Sequence, residues 1–135
     1  MRTLVWKDNY TVGVKCLDLQ HQHLLETLNK VSGLFEVNAN QEEITALLNE
    51  LDNYAKTHFK TEEQYFEKFK FHGMQEHMKE HRYYEHKIMG IQQKYEEKPE
   101  EGKTELLEFL ADWWMGHIQG CDQDYKRFLN NCGVF

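Results

Sequence analysis

The chain has 135 residues, 40% of them hydrophobic and 29% charged, with a formal net charge of −7. That is the size of one ordinary domain with a real core, and the balance excludes a disordered chain. Lys and Arg are scattered among acids, which argues against nucleic acid or an anionic membrane as partner, and no apolar run is long enough for a signal peptide or a membrane span.

Residues 1–17 carry Trp6, Tyr10, Val12, Gly13 and Val14 without helical period and read as an ordered arm packed on the domain. A first helix is predicted over about 18–37, with Asp18 as N-cap and His21, Leu24, Leu28, Val31 and Phe35 on one stripe. After the Asn38-Ala39-Asn40 break, a second over about 41–70 aligns Ile44, Leu48, Leu51, Ala55, His58, Glu62 and Phe66. Gly73 closes the next turn, and a third helix, about 74–96, aligns Met74, His77, His81, Tyr84, Ile88, Ile91 and Tyr95. The only proline, Pro99, is expected in a loop with Lys98 and Gly102. The fourth helix, about 104–130, carries Leu106, Leu110, Trp113, His117, Cys121 and Phe128. Strand-like alternation is absent, so the expected fold is all-α, a single domain over 1–135 built as an up-down-up-down four-helix bundle with an N-terminal arm.

The histidines continue the apolar stripes. His58 follows Leu51 by seven residues, Glu62 follows His58 by four, and His77 and His81 are four apart, so each pair stacks on one face. A buried imidazole or carboxylate costs about 2–7 kcal/mol unless it is bonded. Any one of these could be a satisfied core histidine. His21, His58, His77, His81 and His117, with Glu62, on the inner stripes of four helices, point instead to metal. With Asp122 they make too many ligands for one tetrahedral zinc, and about the right number for two octahedral irons.

The fourth helix is less regular. His117 and Asp122 are separated by about 140° on an ideal helix, while Asp124 lies roughly 10 Å along the axis from His117, too far to share an ion with it. Gly120 can relax the helix, and Tyr125 and Leu129 line up with Asp122. One π-type turn between His117 and Asp122 would produce that slip.

On these residues the chain resembles bacterial hemerythrins. The matching segments are Val12-Gly13-Val14, Asp18-Leu19-Gln20-His21, His58-Phe59-Lys60-Thr61-Glu62-Glu63, His77-Met78-Lys79-Glu80-His81, and Trp113 through Asp122 followed by Tyr125, from Trp6 to Gly133 overall. The resemblance implies that His77, His81 and His117 hold one coordinatively full iron. It implies that His21 and His58 hold the other, that Glu62 and Asp122 bridge the two, and that a hydroxide or oxo group completes the bridge. In the family dioxygen binds end-on at the open iron, becomes a bound hydroperoxide with electrons from both irons and the hydroxide proton, and leaves by the reverse steps. The His-rich set also differs from the paired ExxH sites of ferritin-like oxidases and favours reversible binding over substrate oxidation.

Leu24, Phe59, Trp113 and Ile118 match positions lining the oxygen pocket of the family, and all four suit plain core equally well. Trp114 stands where a leucine is usual, and its bulk is expected to narrow access to the pocket. Cys121 is expected to pack as a small hydrophobe. Cys16 and Cys132 complete an odd set with no CxxC, consistent with reduced thiols in a cytoplasm. On a continuous helix Cys121 and Cys132 would sit roughly 16 Å apart, too far to bridge. His23, His72 and His86 are assigned solvated or capping roles. Glu63, Glu76 and Glu80 are read as surface charge, with hydrogen bonding to ligand N–H groups as the alternative.

The expected function is reversible oxygen binding at a non-haem di-iron centre, for storage, delivery or scavenging by a cytoplasmic monomer rather than an enzyme. An oxygen-using protein is a candidate partner. The first rival is an oxygen or redox sensor, although such modules tend to be fused to signalling domains and this chain starts at Met1 with no room for one. The second is a di-iron peroxide or nitric oxide reductase, which the apolar lining and the lack of an extra acid–base residue disfavour.

Overall fold

A computed structural model describes residues 4–118 and 121–135; the side chains of Ile118, Cys121 and Asp122 lie outside the described set. Helices α1 (Lys15–Glu36), α2 (Gln41–Phe69), α3 (Met74–Glu97) and α4 (Pro99–Trp113) are followed by a π-helical turn at Trp114–Ile118, a 3-10 turn at Cys121–Tyr125 and a short α5 (Lys126–Asn131). There is no strand among the described residues. The architecture is an up-down-up-down four-helix bundle in which α1 packs chiefly on α2 and α3 on α4. No helix among the described residues is long and apolar enough to cross a membrane.

Three local expectations need correction. The first helix starts at Lys15 rather than Asp18, and its N-cap residue is Val14. Asp18 lies inside the first turn, where its carboxylate accepts hydrogen bonds from the Val12 N–H at 2.8 Å and from the Thr11 hydroxyl, so it ties the arm to α1 instead of capping the helix. Lys98-Pro99 is not an extended loop. Pro99 opens α4, where its missing N–H is no loss. Gly102 is therefore inside the helix, and it must be small: a Cβ there would lie 2.3 Å from the Tyr95 Cα. The α3–α4 hairpin closes on that contact. Gly102→Ala is expected to destabilise the fold by about 2 kcal/mol or more, read as a lowered denaturant midpoint; an unchanged midpoint would show that the hairpin has slack. The third correction concerns the fourth helix, whose α-helical bonding stops at Trp113.

The arm is bracketed by side chains of the bundle. The Asn29 amide bonds both the N–H and the C=O of Leu4, at 3.0 and 2.7 Å, and Gln123 donates to the Tyr10 carbonyl at 3.2 Å. Gly13 adopts φ +73° with the Asn130 side chain against it, and Asn130 Nδ2 donates to its carbonyl at 3.0 Å. Only a residue without a Cβ takes both that conformation and that approach at little cost.

The core is in two parts. One contains Leu25, Leu28, Ala55, Phe59, Tyr84, Leu110 and Trp114; the other contains Val12, Val14, Leu17, Phe66, Phe71, Tyr125 and Leu129. In each of the four legs of the bundle the boundary between the two falls near the histidines. His21 lies between Leu17 and Leu25, His58 and Glu62 between Ala55 and Phe66, His77 and His81 between Phe71 and Tyr84, and His117 between Trp114 and Tyr125. A polar layer is thus clamped between two apolar ones, which excludes water from it.

Candidate metal centre

The helical period places this layer. His58 and Glu62 stand one turn apart on α2, as do His77 and His81 on α3, and each pair projects inward. His21, Glu62 and His81 are 0% exposed, His58 is 2%, His117 3% and His77 4%. Glu62 is at the middle. Its Oε1 lies 3.0 Å from His81 Nε2, 3.4 Å from His58 Nε2 and 3.6 Å from His77 Nε2, and its Oε2 lies 3.9 Å from His21 Nε2. The imidazoles fall into two sets about this carboxylate, with ring centroids 4.4 Å apart for His21–His58 and 4.8 to 5.4 Å apart among His77, His81 and His117. Within each set the potential ligand atoms, including one from Glu62, all lie within 4.8 Å of one another.

This arrangement has the chemistry of a cation site. A carboxylate removed from water among five imidazoles is costly unless positive charge compensates it. Imidazole nitrogen and carboxylate oxygen are donors that iron, zinc and copper all accept. Among the described residues Glu62 alone belongs to both sets, so one carboxylate can serve two ions.

The rings are also held from behind. The His58 Nδ1–H donates to the Gln20 side-chain carbonyl at 2.6 Å, which turns the Nε2 lone pair toward Glu62, and Gln20 in turn donates to Thr61 Oγ1 at 3.3 Å. Behind His81, Nδ1 lies 3.5 Å from Glu63 Oε2, and Arg82 holds that carboxylate with two hydrogen bonds of 3.0 and 3.1 Å. Glu63 thus stands half-buried against the His81 ring at charge-contact distance rather than as a hydrogen-bond acceptor, whereas Glu76 and Glu80 are exposed. A partner such as Gln20 fixes the ring tautomer and orientation.

The model of the hemerythrin HHE cation binding domain matches residues 12–129. The chain belongs to the hemerythrin family. It is 26% identical over 134 residues to a bacteriohemerythrin of Stenotrophomonas maltophilia (strain R551-3), covering 96% of this chain and 86% of that one. A hemerythrin-like protein of Naegleria gruberi is 29% identical over 124 residues, 92% of each chain. A crystal structure of a hemerythrin point variant superposes with a TM-score of 0.81 at 25% identity, covering 94% of this chain and 97% of that one.

In this hemerythrin-family chain an apolar cavity of about 30 Å³ abuts the centre. Leu24, Phe59, Trp113 and Trp114 line it with Leu28, Leu51, Ala55, Tyr84 and Leu110, and His58 and His117 close one side. Four of the five residues expected at the oxygen pocket are thus together; the Ile118 side chain is outside the described residues. Phe59 stacks on His81 at 4.1 Å and Trp113 on His117 at 4.1 Å, so the cavity wall and the histidine rings form one packed unit. Tyr84 is fully buried, and burial together with the nearby Asp52 carboxylate raises its phenol pKa well above the usual value. It keeps its proton and does not serve as a base.

The irregular turn expected between His117 and Asp122 begins earlier. The π-helical bonding runs from Trp114 to Ile118, with His117 inside it, and a 3-10 turn over Cys121–Tyr125 follows. The wide turn shifts the register after Trp113, and Tyr125 and Leu129 come back to the core with 0% exposure. The Asp122 and Cys121 side chains lie outside the described residues. Of the remaining histidines, His23 packs on Tyr54 at 4.0 Å, His72 is exposed beside Phe71 at 4.9 Å, and His86 is exposed. Cys16 and Cys132 are free and exposed.

Periodicity did not single out two partners of the centre. Gln20 reaches His58 across 38 positions, and Tyr125 donates a 2.5 Å hydrogen bond to Glu62 Oε2 across 63. Their signals in sequence were adjacency to His21, alignment with the shifted stripe after Gly120, and membership of the segments that match the family, none of which gave them a role.

Proposed function

We propose that the chain binds molecular oxygen reversibly at a non-haem centre of two iron ions and serves to store, deliver or scavenge oxygen. The observation that carries the reading is the sharing of Glu62 by two sets of buried imidazoles next to an apolar cavity. His77, His81 and His117 would hold one ion, His21 and His58 the other. Glu62 would bridge them, with Asp122 and a hydroxide or oxo group as the further bridges that the family resemblance implies. When bound, the ions supply the electrons that make oxygen binding reversible. Because three imidazoles face one ion and two the other, the second ion is the one left with room for a ligand.

The protein's own residues provide positioning and exclusion. Gln20 turns His58 to present Nε2, and Glu63, held by Arg82, stands behind His81. Leu24, Phe59, Trp113 and Trp114 keep water and anions from the cavity, which is large enough for a diatomic molecule. Among the described residues the cavity lining offers no carboxylate and no base beyond His58 and His117, which supports a carrier over a di-iron reductase. The chain is proposed to act as a single-domain monomer in the cytoplasm, with molecular oxygen as its ligand and no nucleic acid or membrane partner.

Iron content and oxygen uptake test this reading together. The expected result is two irons per chain and one oxygen taken up per pair, without catalytic loss of added peroxide or nitric oxide. Sustained turnover of either would replace the carrier by an enzyme on the same scaffold.

A further inference from the structure

The Glu62 carboxylate is held unequally at its two oxygens. Oε1 faces His81, His58 and His77, at 3.0, 3.4 and 3.6 Å, while Oε2 faces His21 at 3.9 Å and accepts the Tyr125 hydroxyl at 2.5 Å. Tyr125 is 0% exposed, and its ring packs on Phe66 at 5.2 Å and His77 at 5.5 Å. The phenol therefore cannot swing away without opening the core.

From this geometry we propose that Tyr125 is a positioning residue that anchors Oε2 of Glu62 on the His21 side, and so enables the His21/His58 half to take its own metal ion. The proposal rests on the two-metal reading above. A carboxylate free to rotate can turn both oxygens onto one cation, and the half with three imidazoles has the greater donor density to draw them. The phenol opposes that rotation. It takes one acceptor position of Oε2, and a carboxylate oxygen accepts more than one partner. The three-imidazole half fills first. The His21/His58 half fills second, and its affinity depends on Tyr125.

Zinc(II) tests this because it accepts the same imidazole and carboxylate donors without redox chemistry. Metal-free protein is titrated at fixed pH as wild type and as Tyr125→Phe, with tyrosines carrying ¹³C at Cζ. Wild type is expected to bind two equivalents, the second more weakly. The variant keeps the first equivalent and binds the second about tenfold more weakly or worse. In wild type the larger displacement of the Tyr125 resonance accompanies the second equivalent. A variant that binds both equivalents as wild type does overturns the proposal, as does a Tyr125 resonance that ignores the second. Should the variant not fold, the wild-type resonance decides alone. A wild-type protein that binds one zinc or none overturns the two-metal reading, and this proposal with it.

Discussion

Replacing Glu62 by Gln is expected to lower the metal content from two ions per chain to at most one. Among the described residues Glu62 is the one common to both donor sets, with Oε1 near His81, His77 and His58 and Oε2 near His21. The amide keeps the volume, so the clamp between the two apolar clusters is retained. What it loses is the negative charge, and a neutral amide does not hold two dications in contact. The half built from His77, His81 and His117 still has three imidazoles, enough to retain one zinc-like ion with solvent in the fourth position. The His21/His58 half keeps only two, and its affinity falls by about a hundredfold or more. Metal analysis after exhaustive dialysis reads the result directly. Two ions retained per chain would show that Glu62 is not the bridge.

Trp114→Leu is expected to open the cavity. Trp114 is 3% exposed, lines the cavity beside His58 and His117, and packs edge-on to Trp6 at 6.4 Å, Tyr10 at 6.0 Å and His21 at 6.5 Å. It thus links the arm to the centre. Its indole N–H is buried with no hydrogen-bond partner among the described residues, so the substitution breaks no such bond there. The lost volume is not refilled, because Trp6 and Tyr10 are fixed by the bonds that hold the arm. A cost of about 2 kcal/mol in stability is expected. The larger effect is kinetic: azide binding to the oxidised protein and autoxidation of the oxygenated protein should both accelerate by about tenfold or more as water and anions gain access. Equal rates in variant and wild type would remove Trp114 as the control on access.

The parts of this molecule that obey a period were legible in its sequence. A histidine four residues from a carboxylate, or from another histidine, on a stripe that is otherwise apolar can face only inward, and the bundle follows from the same stripes. Residues compatible with two local structures misled. Pro99 fits a loop as well as the first turn of a helix, and what selects the helix is Gly102 meeting Tyr95, a tertiary contact. Asp18 has the chemistry of an N-cap, but its carboxylate is taken by the arm. The register shift in the fourth helix was inferable from the misplaced stripe, yet its start at Trp114 was not, because π bonding leaves no mark until the following residues realign. Gln20 and Tyr125 belong to the least legible class. Each is an unremarkable polar residue on its own helix face and becomes a partner of the centre only when another helix is placed against it.

The most direct test of the central claim is the visible spectrum of the iron-loaded protein, anaerobically reduced, then exposed to air, then freed of oxygen again. Charge-transfer bands that form with oxygen and vanish on its removal, over repeated cycles, are the predicted result. Bands that never form, or that give way at once to a stable oxidised spectrum, would contradict reversible oxygen binding at this centre.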